Sequence, residues 1–212
     1  MDWSVVWEYR WPLLIGLRTT IQLSVFAIVL SLCLGTIAGL ARVSQLRIIR
    51  KIATGYVEVL RNVPLIVKLF FLYFGLDLSA WTACLVGLTL HQSAYIADAV
   101  QSGIQAVGVG QVEAGQSVGL SWWHVASYIV LPQALRIVIP VLTSQFIEVI
   151  KNSSLAMTIT VVELTFVTHT IQQETFRGFE AATVVTVVYV ALGAAVVLAM
   201  RLIERALRYE RE

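Results

Sequence analysis

Few residues in this sequence could do chemistry, and their spacing limits what that chemistry is. Glu58 and Arg61 stand three apart, as do Glu148 and Lys151. At that spacing two side chains share a helix face and can form an ion pair. His91 and Asp98 are seven apart, two turns along one face, which suits a proton relay inside a membrane or polar packing against a neighbouring helix. Lys151 is followed directly by Asn152, Ser153 and Ser154. Cys33 and Cys84 have no Cys or His at metal-ligand spacing, so both read as small buried hydrophobes. No GxxxxGK[ST] loop, GxSxG elbow or HExxH pair occurs. The expectation is a chain that catalyses no covalent step, holds no metal and binds no cofactor or nucleic acid. If it moves something uphill, a partner or an ion gradient supplies the energy.

The elements that must position these residues are apolar. Hydrophobic residues make up 58% of the chain and charged ones 13%, against roughly 25% charged in a soluble domain. A spanning helix needs about 20 mainly apolar residues, and five stretches qualify: about 13–43, 52–75, 80–106, 132–150 and 181–203. The fold expected is all-α, a single transmembrane domain over 1–212 built as a bundle of about five transmembrane helices. Gly35 and Gly39 form GxxxG in the first span, which favours close packing against an unnamed neighbour. Pro64, Pro132 and Pro140 mark kinks or helix starts. Asp2 and Glu8 precede the first span with no basic segment, so that span is expected to stay in the mature protein.

Basic residues orient the bundle. Arg42, Arg47, Arg50 and Lys51 crowd the first loop, and Arg201, Arg205, Arg208 and Arg211 the tail. Lys and Arg collect on the cytoplasmic side. An odd number of spans then puts the N-terminus outside and the C-terminus inside, with the loop 105–131 in the cytoplasm. That loop is long and mixed, with Gly108, Gly110 and Gly119 as breaks and Trp122 and Trp123 as interfacial rings. It is expected to lie at the membrane surface as a short helix, a turn at Gly119 and a second amphipathic stretch, offering a docking surface to another subunit.

Within that loop Glu113, Ala114 and Gly115 are followed after three residues by Gly119, after nine more by Ile129, then by Leu131 and Pro132. This resembles the EAA signature of binding-protein-dependent ABC importers, with Gly115 where that family usually has Ala. The substitution loosens a helix by roughly 1 kcal/mol. A glycine at 119 permits a sharp turn at positive φ, and Pro132 suits the first turn of the next helix. The stretch GLRTTIQLSVFAIVLSLCLGTIAGLARVS looks like the first span of the polar amino-acid permeases. YVEVLRNVPLIVKLFFLYFGL looks like their second, usually R-G-T-P-L-L-V-Q, with Asn62, Val63 and Lys68 departing. AYIADAVQSGIQAV and VLTSQFIEVIKNSSL resemble the third span and the end of the fourth, and the KNSS form is most similar to glutamate/aspartate permeases.

The resemblance implies a permease subunit of an importer for polar amino acids in the bacterial inner membrane. It implies a second permease chain, identical or paralogous, and two ATPase subunits in the cytoplasm that bind ATP and Mg. It also implies a substrate-binding protein outside. Glu113, Ala114, Gly115, Gly119, Ile129, Leu131 and Pro132 would couple to the ATPase. For the polar run two readings stand. In one, Glu148, Lys151, Asn152, Ser153 and Ser154 line the pathway, where Lys151 and the serine hydroxyls meet a substrate carboxylate. In the other, Lys151 snorkels to the outer headgroups and the polar trio caps a helix. Glu58 and Arg61 are either a local pair or a gate. An ion-coupled secondary transporter is the alternative function, resting on Asp98 and Lys151, but it lacks the expected internal repeat. An intramembrane enzyme lacks paired catalytic residues.

Overall fold

The computed structural model describes residues 3–209, with side chains through Ala206. Asp2 and Arg211 lie outside the described residues, as does the side chain of Arg208. The chain is all-α, and no strand occurs among the described residues.

A short helix α1, Ser4–Glu8, leads into α2, Arg10–Arg42. Next come α3, Arg47–Asn62, and α4, Leu65–Phe70, which widens into a π-helical turn over Phe71–Gly75. Helix α5 runs Ala80–Gln105 and α6 Val109–Ser117. Helix α7, Trp122–His124, passes through a π turn, Val125–Val130, into α8, Leu131–Asn152, and a 3-10 stretch, Ser153–Ile159. Helices α9, Leu164–Thr175, and α10, Gly178–Tyr209, complete the chain.

Three helical segments are long and apolar enough to cross a membrane: Arg10–Arg42, Trp122–Ile159 and Gly178–Ala206. The expected third span is present as α5, which is long but more polar, carrying buried Thr89, Gln92 and Ser93. Thirteen of its 26 residues are buried, so protein rather than lipid is its surrounding and apolarity is not required of it. The expected second span is corrected. It is not one helix, because Val63 is extended at ψ 126 and separates α3 from α4. Proline's ring disfavours helical geometry in the residue before it, and Pro64 follows Val63. What remains apolar is the short segment Leu65–Gly75.

Helix α5 is the axis of the bundle. A Cβ on Gly35 would lie 2.7 Å from the Ser93 carbonyl, and one on Gly39 2.7 Å from Val100. The GxxxG of α2 thus packs backbone to backbone on α5. On the other side Gly103 of α5 receives Val138 of α8. Leu23, Leu69, Leu88, Val149 and Ile159 fill one core cluster, and Ile96, Val138, Phe146 and Met200 another. Cys84 is buried as expected, but Cys33 is exposed on the outward face of α2.

Candidate functional site

Three regions gather the polar residues. The first is the loop after α5. Helix α6 carries Glu113 and Ala114 exposed and Gly115 buried, then Gly119 turns the chain at φ 80. Helix α8 begins at Leu131 with Pro132 in its first turn, where a missing N–H is harmless. The expectation of a separate surface stretch after Gly119 is corrected. Trp122 onward is already the start of the 38-residue helical segment that ends at Ile159. The short surface helix is therefore α6 alone, laid against the first turns of that segment. Gly115 explains how closely: a Cβ there would lie 2.6 Å from Ile129 Cδ1 and 3.2 Å from Val125. The residue that departs from the EAA pattern is the one on which the motif's isoleucine seats.

The second region ties α2, α3 and α5 together. Arg61 does not pair with Glu58, as its spacing suggested, but with Asp98 of α5, whose other oxygen takes Arg42. Glu58 is exposed. His91 and Asp98 share a face but have separate partners. The ammonium of Lys68, almost fully buried, donates to the Leu60 carbonyl at 2.6 Å and meets His91 Nδ1 at 2.9 Å. Lys68 thus closes the carbonyl end of α3 across the break, a favourable place for a cation. From sequence it was visible only as a departure from the usual Gln.

The third region lies where α8 ends. A cavity of roughly 530 Å³ is bounded by Lys151, Asn152 and Ser154 from α8 and its extension, by Thr165 and Thr168 from α9, and by Thr186 and Tyr189 from α10. Lys151 also pairs with Glu148 at 3.0 Å, as the i,i+3 spacing predicts. Of the two readings of the serines, the one that keeps them within the helix is the one their bonds suit. Ser153 is fully buried and donates to the Ile150 carbonyl, and Ser154 donates to the Lys151 carbonyl. Neither hydroxyl has a proton left for a substrate carboxylate, because each hydroxyl carries one. Lys151 and Asn152 remain as donors.

The far wall of this cavity was not legible in the sequence. Helix α9 has 12 residues, too few to span. It runs antiparallel to α2, with its start beside Thr20, which accepts from Leu164 N at 3.3 Å, and its end beside Tyr9, which donates to Glu174. Its N-terminus therefore lies roughly 9–15 Å along α2 from the start of that helix, at 1.5 Å per residue. Gly16 permits this, since a Cβ there would lie 3.0 Å from the Glu163 backbone. Glu163, fully buried, caps α9 by accepting from Thr165 N at 2.9 Å and Phe166 N at 2.7 Å, and it accepts the Tyr189 hydroxyl at 2.8 Å. The only sequence signal was an acidic residue at the head of an amphipathic stretch.

Residues 31–209 match the family model described as "Binding-protein-dependent transport system inner membrane component". The chain is 40% identical over 176 residues to the probable amino-acid ABC transporter permease protein YckA of Bacillus subtilis (strain 168), covering 76% of this chain and 78% of that protein. It is 34% identical over 215 residues to the glutamine transport system permease protein GlnP of Escherichia coli (strain K12), with 98% of each covered. Its fold is similar to that in a crystal structure of an amino acid ABC transporter with histidines: TM-score 0.88, 30% identity, 97% of this chain and 99% of that one.

Proposed function

Since this chain belongs to the family of inner-membrane components of binding-protein-dependent transport systems, we propose that it is the permease subunit through which such a system imports a polar amino acid. Glutamate or aspartate is the first candidate. The observation that carries the reading is the exposed α6 knob, built from the EAA-like residues and seated by Gly115 on Ile129. A chain with no nucleotide-binding loop needs a rigid surface through which an ATPase can move it. The partners are accordingly two cytoplasmic ATPase subunits, which bind ATP and Mg and do the hydrolysis, a second permease chain, identical or paralogous, and an extracytoplasmic binding protein. The setting is the bacterial inner membrane, with the N-terminus outside and the C-terminus in the cytoplasm.

The names of the relatives support an amino acid, with glutamine among them. The Lys151 cation at the cavity supports an acidic one. Ion coupling is less well supported, because Asp98 and Lys151, the charges it would use, are both held in ion pairs. The test is uptake by reconstituted complexes carrying Lys151→Ala or Lys151→Arg, with assembly checked separately. Arginine should retain partial glutamate uptake, and alanine should lose it while basal ATP hydrolysis persists. Unchanged uptake kinetics in the alanine variant assign Lys151 to a snorkelling role and remove it from the pathway.

A further inference from the structure

The hydroxyls around the cavity at the end of α8 share one property: their protons are already committed inside the protein. Thr168 Oγ1 donates to the Leu164 carbonyl at 3.0 Å and Thr186 Oγ1 to the Ala182 carbonyl at 2.7 Å. Tyr189 donates to Glu163 Oε2 at 2.8 Å. Thr165 Oγ1 lies 3.3 Å from the Tyr189 oxygen, and with the phenol O–H directed at Glu163 it is Thr165 that donates. A hydroxyl has one proton and two lone pairs, so this wall offers the cavity lone pairs alone. The opposite end is the reverse. The Lys151 ammonium has three N–H donors and spends one on Glu148, and the Asn152 amide has no partner among the described residues.

Resting on the pathway reading above, we infer that the cavity holds its amino acid in one polarity. The α-carboxylate lies against Lys151 and Asn152, and the α-ammonium against the oxygens of Tyr189, Thr168 and Thr186. Glu163 is a positioning residue: it accepts the phenol's hydrogen bond, which leaves Tyr189 only its lone pair to offer the cavity. Glu163 has no cation within ion-pair distance among the described residues. Its carboxyl group is met by the N-terminal N–H groups of α9 and by the phenol. The cavity volume of roughly 530 Å³ falls within the usual small-molecule range. A donor end and an acceptor wall in one cavity match a zwitterion and oppose a ligand lacking the ammonium.

The experiment measures binding to the assembled permease–ATPase complex by isothermal titration. Two ligands are compared: the better bound of glutamine and glutamate, and its des-amino analogue, glutaramate or glutarate. The wild-type complex should prefer the amino acid by at least about tenfold, the worth of one hydrogen bond to a charged group. Tyr189→Phe keeps the ring and removes the acceptor, and Thr168→Val keeps the shape and removes another. Each should narrow that preference while leaving affinity for the des-amino analogue unchanged. Glu163→Gln puts an N–H toward the phenol, frees its proton and should narrow the preference too. Lys151→Ala should weaken both ligands and leave the ratio as it was. A ratio unmoved by both Tyr189→Phe and Thr168→Val overturns the polarity, even where Lys151→Ala confirms the pathway. Equal wild-type affinity for the two ligands overturns it as well, and no amino-acid binding to the wild-type complex removes the inference and the pathway reading together.

Discussion

At the scale of single residues, two glycines of the loop after α5 do opposite work. Gly119 has nothing within 4 Å of where a Cβ would stand, yet its φ is 80. Its requirement is conformational, not spatial. An L side chain there costs about 1–2 kcal/mol, and a β-branched one more, whereas Asn tolerates the region. Gly119→Val should therefore abolish uptake while the chain still inserts and Gly119→Asn should keep it, as read by uptake and by co-purification of the ATPase. Gly115 is the spatial case. Alanine there gains helix stability of about 1 kcal/mol but pushes a methyl to 2.6 Å from Ile129 Cδ1. Gly115→Ala should lower the thermal midpoint of the purified complex when Ile129 is present. In an Ile129→Val background, which lacks that methyl, the same change should raise it.

At the scale of elements, the break at Val63 and Pro64 gives the bundle a joint, and the charges beside it hold the joint's parts to α5. Asp98 receives Arg42 from the end of α2 and Arg61 from the end of α3. Side-chain exposure is 14% for Arg42, 26% for Asp98 and 47% for Arg61, which ranks the three substitutions. Removing one partner of a buried pair costs about 3–5 kcal/mol, and solvent screening reduces this where a partner is half exposed. Asp98→Asn strands two cations and should destabilise most, by about 2–3 kcal/mol, followed by Arg42→Gln and then Arg61→Gln. Heat-induced unfolding in detergent measures the order. If Arg61→Gln proves the most damaging, the clasp is organised around α3 and not around α5. Lys68 extends the same clasp, since its ammonium holds the last turn of α3 to His91.

At the scale of the whole molecule, α2 is the ruler. Its 33 residues span about 50 Å at 1.5 Å per residue, against a hydrocarbon core of about 30 Å. The excess leaves polar ends on both sides. Trp3, Trp7 and Trp11 are exposed at one end, and Trp122 and Trp123 at the other, the paired aromatic girdles of a spanning protein. Arg42 and the exposed Arg47, Arg50 and Lys51 sit at the second end, which the positive-inside rule predicts to face the cytoplasm. A cysteine introduced at position 2 should react with an impermeant reagent added to intact cells. Reaction only after permeabilisation reverses the orientation and moves α6 to the outside, where no ATPase could meet it.

What the sequence determined by itself follows from composition and from short-range rules. Apolar length placed α2 to within a few residues of both its ends and located α10, because exposure to lipid demands it. The EAA-like spacing located α6, the turn at Gly119 and the start of α8, because a glycine and a proline constrain their own backbone wherever they occur. Tertiary structure decided the rest. Arg61 was free to pair with Glu58 one turn away, but Asp98 is 37 residues distant in sequence and within reach only once α3 lies on α5. Helix α9 has too few apolar residues to announce itself, and it forms where Gly16 leaves room for its N-terminus and Glu163 caps it. The direction of a hydroxyl proton is likewise invisible in a residue type. Ser153 and Ser154 could be read as donors to a substrate or as caps of a helix, and in the fold their hydroxyls donate to the carbonyls of Ile150 and Lys151. Local geometry is written in neighbours along the chain, whereas pairing and polarity belong to groups that only folding brings together.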